Sequence, residues 1–505
     1  MGNSVKYIAT SIAWSGISKI LNTALKFISI PLLLHYFGKE SFGLITLAVA
    51  TNAYMQLLDM GMNYGTVRFF SQWIVAKNYD LLNRVARTNI TFYLCLGAIN
   101  CLVLLMLAWQ GNSLFKITSE QFITFRYLLY ILAGMSVINW TAFVFNQLLI
   151  ADEKIAFVHQ MMSVRTVANF LIVLLTIHFK WSLIQYFLYD SMLNMLIIAP
   201  CCFMSKKRRL IQSILPALYW KDFSIVFKYS IAVFAMGIFQ FTALQSRPLV
   251  LGMFSPQGQG AVSVTNYRVL EVFSIFVISI GGMLLQILLP KASGFVQQND
   301  RKSIEKLAYE GTKYNTIGVA ILCYLVMLNA KEILILYVGD TYGHLSIWLS
   351  VWMFALLFQI HYFAVSSLVF ATGNMRTLVY ASCASCVVSI IINAGLCVKF
   401  GAGSAVIGYV VYVIILMSFH YLYYNSRILK LSSRRIFRSF IIPAMLGLIA
   451  LLFVESINLS VSSLVFSLII KSLLWTFIFV VALFLFKQLS IKQLREIILR
   501  RKVEF

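Results

Sequence analysis

Long apolar runs separated by short polar connections occupy almost the whole 505-residue chain. Most runs reach about 20 residues, the length at which an α-helix crosses the hydrocarbon core of a bilayer. No polar stretch is long enough to form a separate soluble domain. The pattern predicts an all-α polytopic membrane protein with about fourteen transmembrane helices, at 8–35, 42–66, 89–110, 125–150, 156–178, 182–204, 226–251, 261–289, 312–337, 346–370, 377–398, 403–424, 439–457 and 463–486.

The composition is typical of an integral membrane protein. Hydrophobic residues make up 60% of the chain and charged residues 11%, whereas a soluble chain carries about 25% charged residues. A net charge of +24 would suggest a nucleic-acid partner for a soluble protein. Here the basic residues lie in short loops between apolar runs, so we interpret the charge as a topology signal and expect no nucleic-acid partner.

The distribution of Lys and Arg indicates which loops face the cytoplasm, because cytoplasmic loops carry an excess of both residues. With the N-terminus inside, 29 of the 41 basic residues fall in inside segments, 6 in outside loops and 6 within predicted helices. This alternation supports the span count and predicts that both termini are cytoplasmic.

Two pairs of connecting segments recur at nearly the same offset. "RFFSQWIVAKNYDLLNRV" starts at Arg68 and "PKASGFVQQNDRKSIEKL" at Pro290, an offset of 222 residues. "LLIADEKIAF" from Leu148 and "LVFATGNMRTLV" from Leu368 are 220 residues apart. The equal spacing indicates a parallel repeat of two six-helix lobes around a central cavity. We predict an N-lobe at 1–210, a C-lobe at 211–425, and two extra C-terminal helices with a basic tail at 426–505.

The first predicted span has a polar stripe along its length. Four side chains recur at i, i+4, i+7 and i+11 and so share one helix face: Ser15, Lys19, Asn22 and Lys26. At a repeat offset of 221, Lys19 corresponds to Gln240 in the seventh span. Lys26 corresponds to Arg247 by the same offset. The two lobes are therefore predicted to present related polar faces at the same depth.

Other charged and polar side chains also fall inside predicted spans, namely Arg165, Asn266, Arg268, Asp59, Asp190 and Glu271. A basic residue at the bilayer centre costs about 2.5–3.5 kcal/mol on insertion scales. These groups are therefore expected to face protein or water. Lys471, in the last span and outside the repeat, is expected to extend along its alkyl stem towards the interface.

Structural ion pairs explain part of this charge, for example Arg165 with Asp190, or Arg268 with Glu271. The central basic groups outnumber the acids, which favours a water-filled cationic cavity for Lys19 and Lys26. Such a cavity suits a phosphate or diphosphate, and Ser, Asn and Gln side chains suit sugar hydroxyls. The predicted substrate-binding residues are Lys19, Asn22, Lys26, Arg165, Gln240, Arg247, Asn266 and Arg268, with Asp59, Asp190 and Glu271 as charge partners or coupling groups.

No motif for catalysis, a metal or a cofactor is evident. Cys383 and Cys386 form a C-x-x-C pattern, but it lies in the apolar run "YASCASCVVSIIINAG", where small residues at helix contacts explain it better. A membrane polysaccharide polymerase or ligase needs a sizeable outer loop, and the longest one here, 111–124, is about 14 residues. We therefore predict a transporter without catalytic residues, metal or cofactor, and leave coupling to H⁺ or Na⁺ open.

Three segments resemble those of a known superfamily: "IPLLLHYFGKESFGLITLAVA" (30–50), "LLDMGMNYGTVRFFSQ" (57–72) and "LPKASGF" (289–295). They are similar to Wzx-type polysaccharide flippases of the multidrug/oligosaccharidyl-lipid/polysaccharide superfamily. The resemblance implies two six-helix lobes that open a cavity to alternate sides of the bacterial inner membrane. It also implies translocation of undecaprenyl-diphosphate-linked repeat units for O-antigen or capsule, with membrane lipids and polymerase machinery as partners.

Two alternatives within the same superfamily stay open. Lipid II flippases resemble this chain in having fourteen spans, and Lys19, Lys26 and Arg268 match the spans that carry their basic residues. The departure is that span one has lysines and no bidentate arginine. A cation-coupled multidrug or metabolite exporter usually needs an acid in the N-lobe cavity. Span one has none, and only Asp59 and Asp190 support this alternative.

Overall fold

The computed structural model describes residues 2–53, 56–372, 376–457 and 463–489. Within these ranges every regular element is helical, which confirms the predicted all-α class. The helices are α1 (Gly2–Ala53), α2 (Gln56–Val75), α3 (Tyr79–Gln110), α4 (Ser119–Ala151), α5 (Ile155–Phe179), α6 (Leu183–Lys207), α7 (Trp220–Phe254), α8 (Gly260–Gln297), α9 (Arg301–Leu328), α10 (Ala330–Val338), α11 (Ser346–Ile360), α12 (Phe363–Thr372), α13 (Arg376–Phe400), α14 (Ala402–Phe419), α15 (Asn425–Arg427), α16 (Ser433–Ser456) and α17 (Leu464–Leu485).

Among the described residues, twelve helical segments are long and apolar enough to cross a bilayer. Helices α2 and α7 cover much of the second and seventh predicted spans, so each predicted span falls on described helix. The chain is a multi-pass membrane protein. The count of fourteen crossings stays a prediction.

The helices differ from the predicted spans at three points. The connection expected after residue 35 is a kink inside α1 at Gly38, where φ is +79°, a conformation that glycine adopts at little cost. The ninth predicted span is interrupted at Asn329, between α9 and α10. The tenth is interrupted at His361 and Tyr362, between α11 and α12. Hydrophobicity alone does not reveal these breaks, because each is short and is flanked by apolar runs on both sides.

Side-chain amides satisfy backbone groups at both breaks. Asn329 Nδ2 donates to the carbonyl of Leu325 at 3.0 Å. Asn315 Nδ2 donates to the carbonyls of Ile360 and His361. A carbonyl released from a helix has no water to bond in the hydrocarbon region, so a protein donor has to replace its lost partner. The asparagines make the interruptions tolerable.

Contacts within the chain define two compact units. One is Met1–Arg268 together with Asn393–Ala402, and the other is Val269–Ile392 together with Gly403–Phe505. Helices α1 to α7 belong to the first unit, while α8 and α13 contribute to both. The predicted lobes at 1–210 and 211–425, with 426–505 as an appendix, stay a prediction.

In the first unit, a buried polar chain joins α3 to α4. Asn89 Nδ2 donates to Gln147 Oε1 at 2.9 Å, and Gln147 Nε2 donates to the Tyr93 hydroxyl at 2.7 Å. The surrounding core is apolar and includes Phe70 and Leu148. Hydrogen bonds between membrane helices contribute about 0.6 kcal/mol on average. This chain therefore sets the register of α3 and α4 more than it adds stability.

Ion pairs connect helix ends of the first unit. Arg84 of α3 contacts Asp222 of α7 at 2.8 Å, and Arg208 after α6 contacts Asp152 after α4 at the same distance. The Asp152 carboxylate raises the pKa of Arg208 by accepting its hydrogen bond. Both arginines are more than 40% exposed, and exposed pairs contribute about 1 kcal/mol or less. Their role is to orient the connections between spans.

In the second unit, α9, α16 and α17 pack closely. The Tyr324 hydroxyl of α9 donates to the Ala444 carbonyl at 2.7 Å, and Trp475 Nε1 of α17 donates to the Gly447 carbonyl at 3.1 Å. A Cβ at Gly447 would lie 2.5 Å from the Tyr324 ring, so the small residue permits this approach. Trp475 is completely buried.

Lys471 makes an ion pair inside the second unit. Its Nζ lies 2.6 Å from Glu332 Oε1 of α10, and the two side chains are 23% and 18% exposed. The sequence alone led to the expectation that Lys471 reaches for the interface by itself. The acid that binds it lies 139 residues earlier in the chain, and only the packing of α10 against α17 brings the two together.

Gly43 marks a close approach of two helices in the first unit. A Cβ there would lie 2.0 Å from the carbonyl oxygen of Ala261 on α8, and Thr265 of α8 donates to the Lys39 carbonyl nearby at 2.6 Å. The obstacle is backbone, so it cannot rotate away.

We expect Gly43→Ala to lower the free energy of unfolding by about 1–3 kcal/mol, because an added methyl group overpacks this contact. The measurement is thermal unfolding of the purified protein in detergent. Gly134→Ala in α4 is the matched control, since a Cβ at Gly134 meets nothing within 4 Å. Equal unfolding midpoints for the two variants would contradict the close approach of α1 and α8.

Candidate functional site

The polar stripe of α1 faces α5 within the first unit. Asn22 Nδ2 donates to Thr166 Oγ1 of α5 at 3.2 Å. Ser18 and Ser29, on the same side of α1, are buried. Ile17 and Ile28 are 50% and 47% exposed, which places apolar side chains on the opposite face. Serines of the stripe therefore pack on protein while Lys19 and Lys26 of the same stripe are exposed, and the opposite face is apolar and suited to lipid.

Three charged groups converge beside this stripe. Asp190 of α6 accepts a hydrogen bond from Asn169 Nδ2 of α5. Arg165, one helical turn before Asn169, acts electrostatically on the Asp190 carboxylate. Lys26 of α1 acts on the same carboxylate. One acid thus lies near two bases, and we name this group of Lys26, Arg165 and Asp190 the charge cluster.

Lys19 lies on the same face as Lys26, two turns away. It is exposed, and its charge reaches His159 of α5. The α1 face therefore offers two lysines along one side of α5, separated by the hydrogen bond of Asn22. This spacing matches the i, i+7 relation expected from the sequence.

A cavity with a mixed polar and apolar lining lies next to the charge cluster. It has a volume of about 190 Å³ and includes Arg165 in its wall. Three asparagines, Asn52, Asn139 and Asn146, line it together with the aromatic residues Trp140 and Phe143, and we name it the asparagine cavity. Arg165 is the residue shared by the charge cluster and the asparagine cavity.

The asparagines of this cavity have hydrogen-bonding capacity to spare. The Oδ1 atoms of Asn139 and Asn146 are buried and accept no hydrogen bond from the described part of the protein. Asn52 Oδ1 accepts from Asn100 Nδ2 at 2.9 Å. A buried polar atom without a partner costs about 1–3 kcal/mol. A hydroxyl or water bound in the cavity would recover that free energy.

The sequence prediction did not include these asparagines. Asn139 and Asn146 are i, i+7 on α4, the same relation as Lys19 and Lys26 on α1. Applying that rule to the fourth span would have found them. Asn52 has no comparable signal, because it lies beyond the Gly38 kink and its place depends on how α1 bends.

The remaining predicted site residues that the structure describes belong neither to the charge cluster nor to the lining of the asparagine cavity. Arg247 on α7 is 3% exposed, while Asn266 and Arg268 on α8 are half-buried. Glu271 belongs to the second unit. The side chains of Asp59 and Gln240 lie outside the described residues. A common site for all of these residues stays a prediction.

The bond between Asn22 and Thr166 fixes the register of α1 on α5. We expect Asn22→Ala and Thr166→Val each to lower the free energy of unfolding by about 0.5–1.5 kcal/mol. The double variant should lose about 0.6 kcal/mol less than the sum, which is the usual coupling across membrane helices. Unfolding in mixed detergent micelles measures all three.

Thr141→Val is the control for this cycle. Thr141 is on α4 and bonds only the Ile138 carbonyl of its own helix. In the double variant of Thr141→Val and Asn22→Ala, the two losses in the free energy of unfolding should simply add. Additive losses for Asn22 and Thr166 would mean that the hydrogen bond does not couple α1 to α5.

Comparison with solved structures identifies the fold. The chain resembles the lipid II flippase MurJ in an inward closed conformation with a TM-score of 0.71 and 15% identity, over 94% of this chain and 98% of that chain. It resembles a multidrug resistance transporter of the MATE family, inward-facing, with a TM-score of 0.68 and 12% identity, over 82% and 98%. A MOP superfamily transporter from Pyrococcus furiosus gives 0.52 and 11%, over 81% and 93%.

Sequence comparison adds no closer relation. No family model matches the chain, and no curated protein matches it. With identities of 11–15%, the structural likeness establishes the fold and leaves the substrate to the chemistry of the site.

Proposed function

We propose that this protein is a flippase that moves a polyprenyl-diphosphate-linked oligosaccharide across the bacterial inner membrane by alternating access. The observation that carries the proposal is the position of Arg165, which belongs both to the charge cluster and to the wall of the asparagine cavity. A cationic group next to a cavity lined by neutral amides and apolar side chains is complementary to a diphosphate joined directly to a sugar.

The charge cluster supports the diphosphate end of this substrate. Lys26 and Arg165 share a single acid, Asp190, and Lys19 adds a further cation on the same helix face. Basic side chains bind phosphate oxygens through charge-assisted hydrogen bonds, and Arg does so with two parallel donors. A doubly charged anion would offset positive charge of these bases and relieve the repulsion among them.

The asparagine cavity supports the glycan end. An amide both donates and accepts hydrogen bonds, as a sugar hydroxyl does. The unused Oδ1 atoms of Asn139 and Asn146 are acceptors for hydroxyl donors, and Trp140 offers an aromatic wall. No charge other than that of Arg165 lines the cavity within the described residues, which suits an uncharged sugar.

The proposed cycle follows from this arrangement. The diphosphate enters from the cytoplasmic side and binds Lys19, Lys26 and Arg165, while the first sugar occupies the asparagine cavity. The polyprenyl chain stays in lipid. Neutralisation of the bases favours closure around the headgroup, and opening to the other side releases it. O-antigen or capsule polymerase machinery would then consume the repeat unit.

We expect Lys19→Ala combined with Lys26→Ala to abolish transport, since the anion loses two of its three nearest bases. In cells lacking this protein, a complete lipid-linked repeat unit should accumulate on the cytoplasmic leaflet, and the wild type but not the double variant should reverse it. Lys180→Ala with Lys399→Ala is the matched control, because both are exposed lysines at helix ends. Full rescue by the Lys19/Lys26 variant would contradict the role of the stripe.

We expect Asn139→Leu combined with Asn146→Leu to weaken binding of the sugar-bearing lipid by about 5- to 100-fold, the loss of two neutral hydrogen bonds. Binding of the polyprenyl diphosphate without sugar should not change. Both ligands can be titrated against the purified protein in detergent. The Lys19/Lys26 variant is the comparison, because it should weaken the binding of both ligands. If the asparagine variant lost the same affinity for both ligands, the cavity would not be the site that recognises the glycan.

Two related functions are the alternatives. The likeness to a lipid II flippase favours a peptidoglycan precursor as the glycan-bearing lipid, and the identity of the lipid that accumulates in the deletion strain decides between them. The carboxylate of Asp190, held by Asn169 beside two bases, favours a cation-coupled exporter. For an exporter, the deletion strain should accumulate no lipid-linked glycan and become sensitive to cationic dyes.

A further inference from the structure

A second cavity, in the second unit, has no part in the proposed function. Its volume is about 670 Å³, and its wall is made by the ends of α9, α10, α11, α16 and α17. Four charged side chains line it: Lys331, Glu332, Glu455 and Lys471. We name it the terminal pocket. Its position at the ends of several apolar helices places it where a membrane span meets the aqueous boundary.

Two of these charges neutralise each other. Lys471 and Glu332 form the 2.6 Å ion pair described above, and both are mostly buried. Asn329, beside them, donates to Ser472 Oγ at 3.1 Å and so ties the start of α10 to α17. The pair therefore belongs to the framework of the pocket and leaves its net charge unchanged.

The other two charges are available to a ligand. Lys331 and Glu455 are both exposed, and neither forms an ion pair with any described residue. They are opposite in sign and come from different helices, α10 and α16. A singly charged ligand would match one of them and face repulsion from the other. A ligand that carries both a cation and an anion matches both.

Apolar side chains at and near the rim of the terminal pocket are exposed. Ile347 lines the pocket and is 64% exposed, and neighbouring helix surfaces are apolar, with Leu336 and Leu464 at 48% and 43% exposed. Surfaces of this kind are covered by acyl chains in a bilayer. The ligand is therefore a lipid whose headgroup reaches the charges while its chains remain on the apolar surface.

We propose that the terminal pocket binds a zwitterionic phospholipid with a primary ammonium group, that is, phosphatidylethanolamine. The phosphate contacts Lys331, and the ammonium group donates hydrogen bonds to the Glu455 carboxylate. Ser346 and Ser350, which also line the pocket, supply hydroxyl donors to the phosphate. Phosphatidylcholine has the same charges but its quaternary ammonium has no N–H to donate, so it loses the charge-assisted hydrogen bond.

The test is native mass spectrometry of the purified full chain with phosphatidylethanolamine, phosphatidylcholine and phosphatidylglycerol of identical acyl chains. We expect phosphatidylethanolamine to bind about tenfold more tightly than either of the others, the effect of about one charge-assisted hydrogen bond. Equal affinities, or tighter binding of phosphatidylglycerol, would overturn the proposal, since the latter would assign the pocket to acidic lipids.

Charge-removing variants test whether the preference for phosphatidylethanolamine arises in the terminal pocket. Lys331→Met with Glu455→Gln should reduce the ratio of the affinities for phosphatidylethanolamine and phosphatidylcholine to about one. The unfolding temperature of this double variant should stay that of the wild type, because the Lys471–Glu332 pair is intact. Lys180→Met with Glu120→Gln is the control, since it removes one exposed charge of each sign at helix ends of the first unit. A preference that survives in the pocket variant would place the lipid elsewhere. Neither result bears on the Lys19/Lys26 transport assay, so the two proposals fail independently.

Discussion

The absence of water in the hydrocarbon region is the constraint on which the rest of the structure depends. Every charge and every released backbone group inside a span must face protein or a water-filled cavity. The two interrupted spans illustrate this, since Asn315 and Asn329 supply amide donors at the points where the helices break. The buried chain from Asn89 through Gln147 to Tyr93 meets the same requirement between α3 and α4.

The same constraint explains why the candidate site is small and concentrated. Asp190 lies near both Lys26 and Arg165 and partly offsets the repulsion between these two bases. The asparagine cavity is the opposite case, because Asn139 and Asn146 hold oxygen atoms that the protein leaves without donors. A binding site for a polar headgroup requires such incomplete satisfaction, since a fully satisfied cluster has nothing left to offer a substrate.

The charged side chains fall into two groups, those that form ion pairs between helices and those that stay exposed to solvent or to a ligand. Lys471 and Glu332 satisfy each other and connect α17 to α10. Lys331, next to Glu332 on α10, and Glu455 on α16 keep their charges for the solvent or for a lipid headgroup. In the first unit Arg84 and Asp222 join helix ends, whereas Lys19 stays exposed on the α1 stripe. Sign and position alone do not distinguish these roles.

The sequence by itself determined the helical class, the membrane location and the polar face of α1. These follow from local chemistry, because apolar length predicts a span and a period of 3.6 residues places Asn22 and Lys26 on one face. Tertiary structure alone decided which helices are neighbours. It set Arg165 beside both Asp190 and the asparagines of α4, paired Lys471 with an acid 139 residues away, and turned the expected loop after residue 35 into a kink at Gly38. Contacts between distant helices depend on packing across the whole unit, and no local periodicity encodes them.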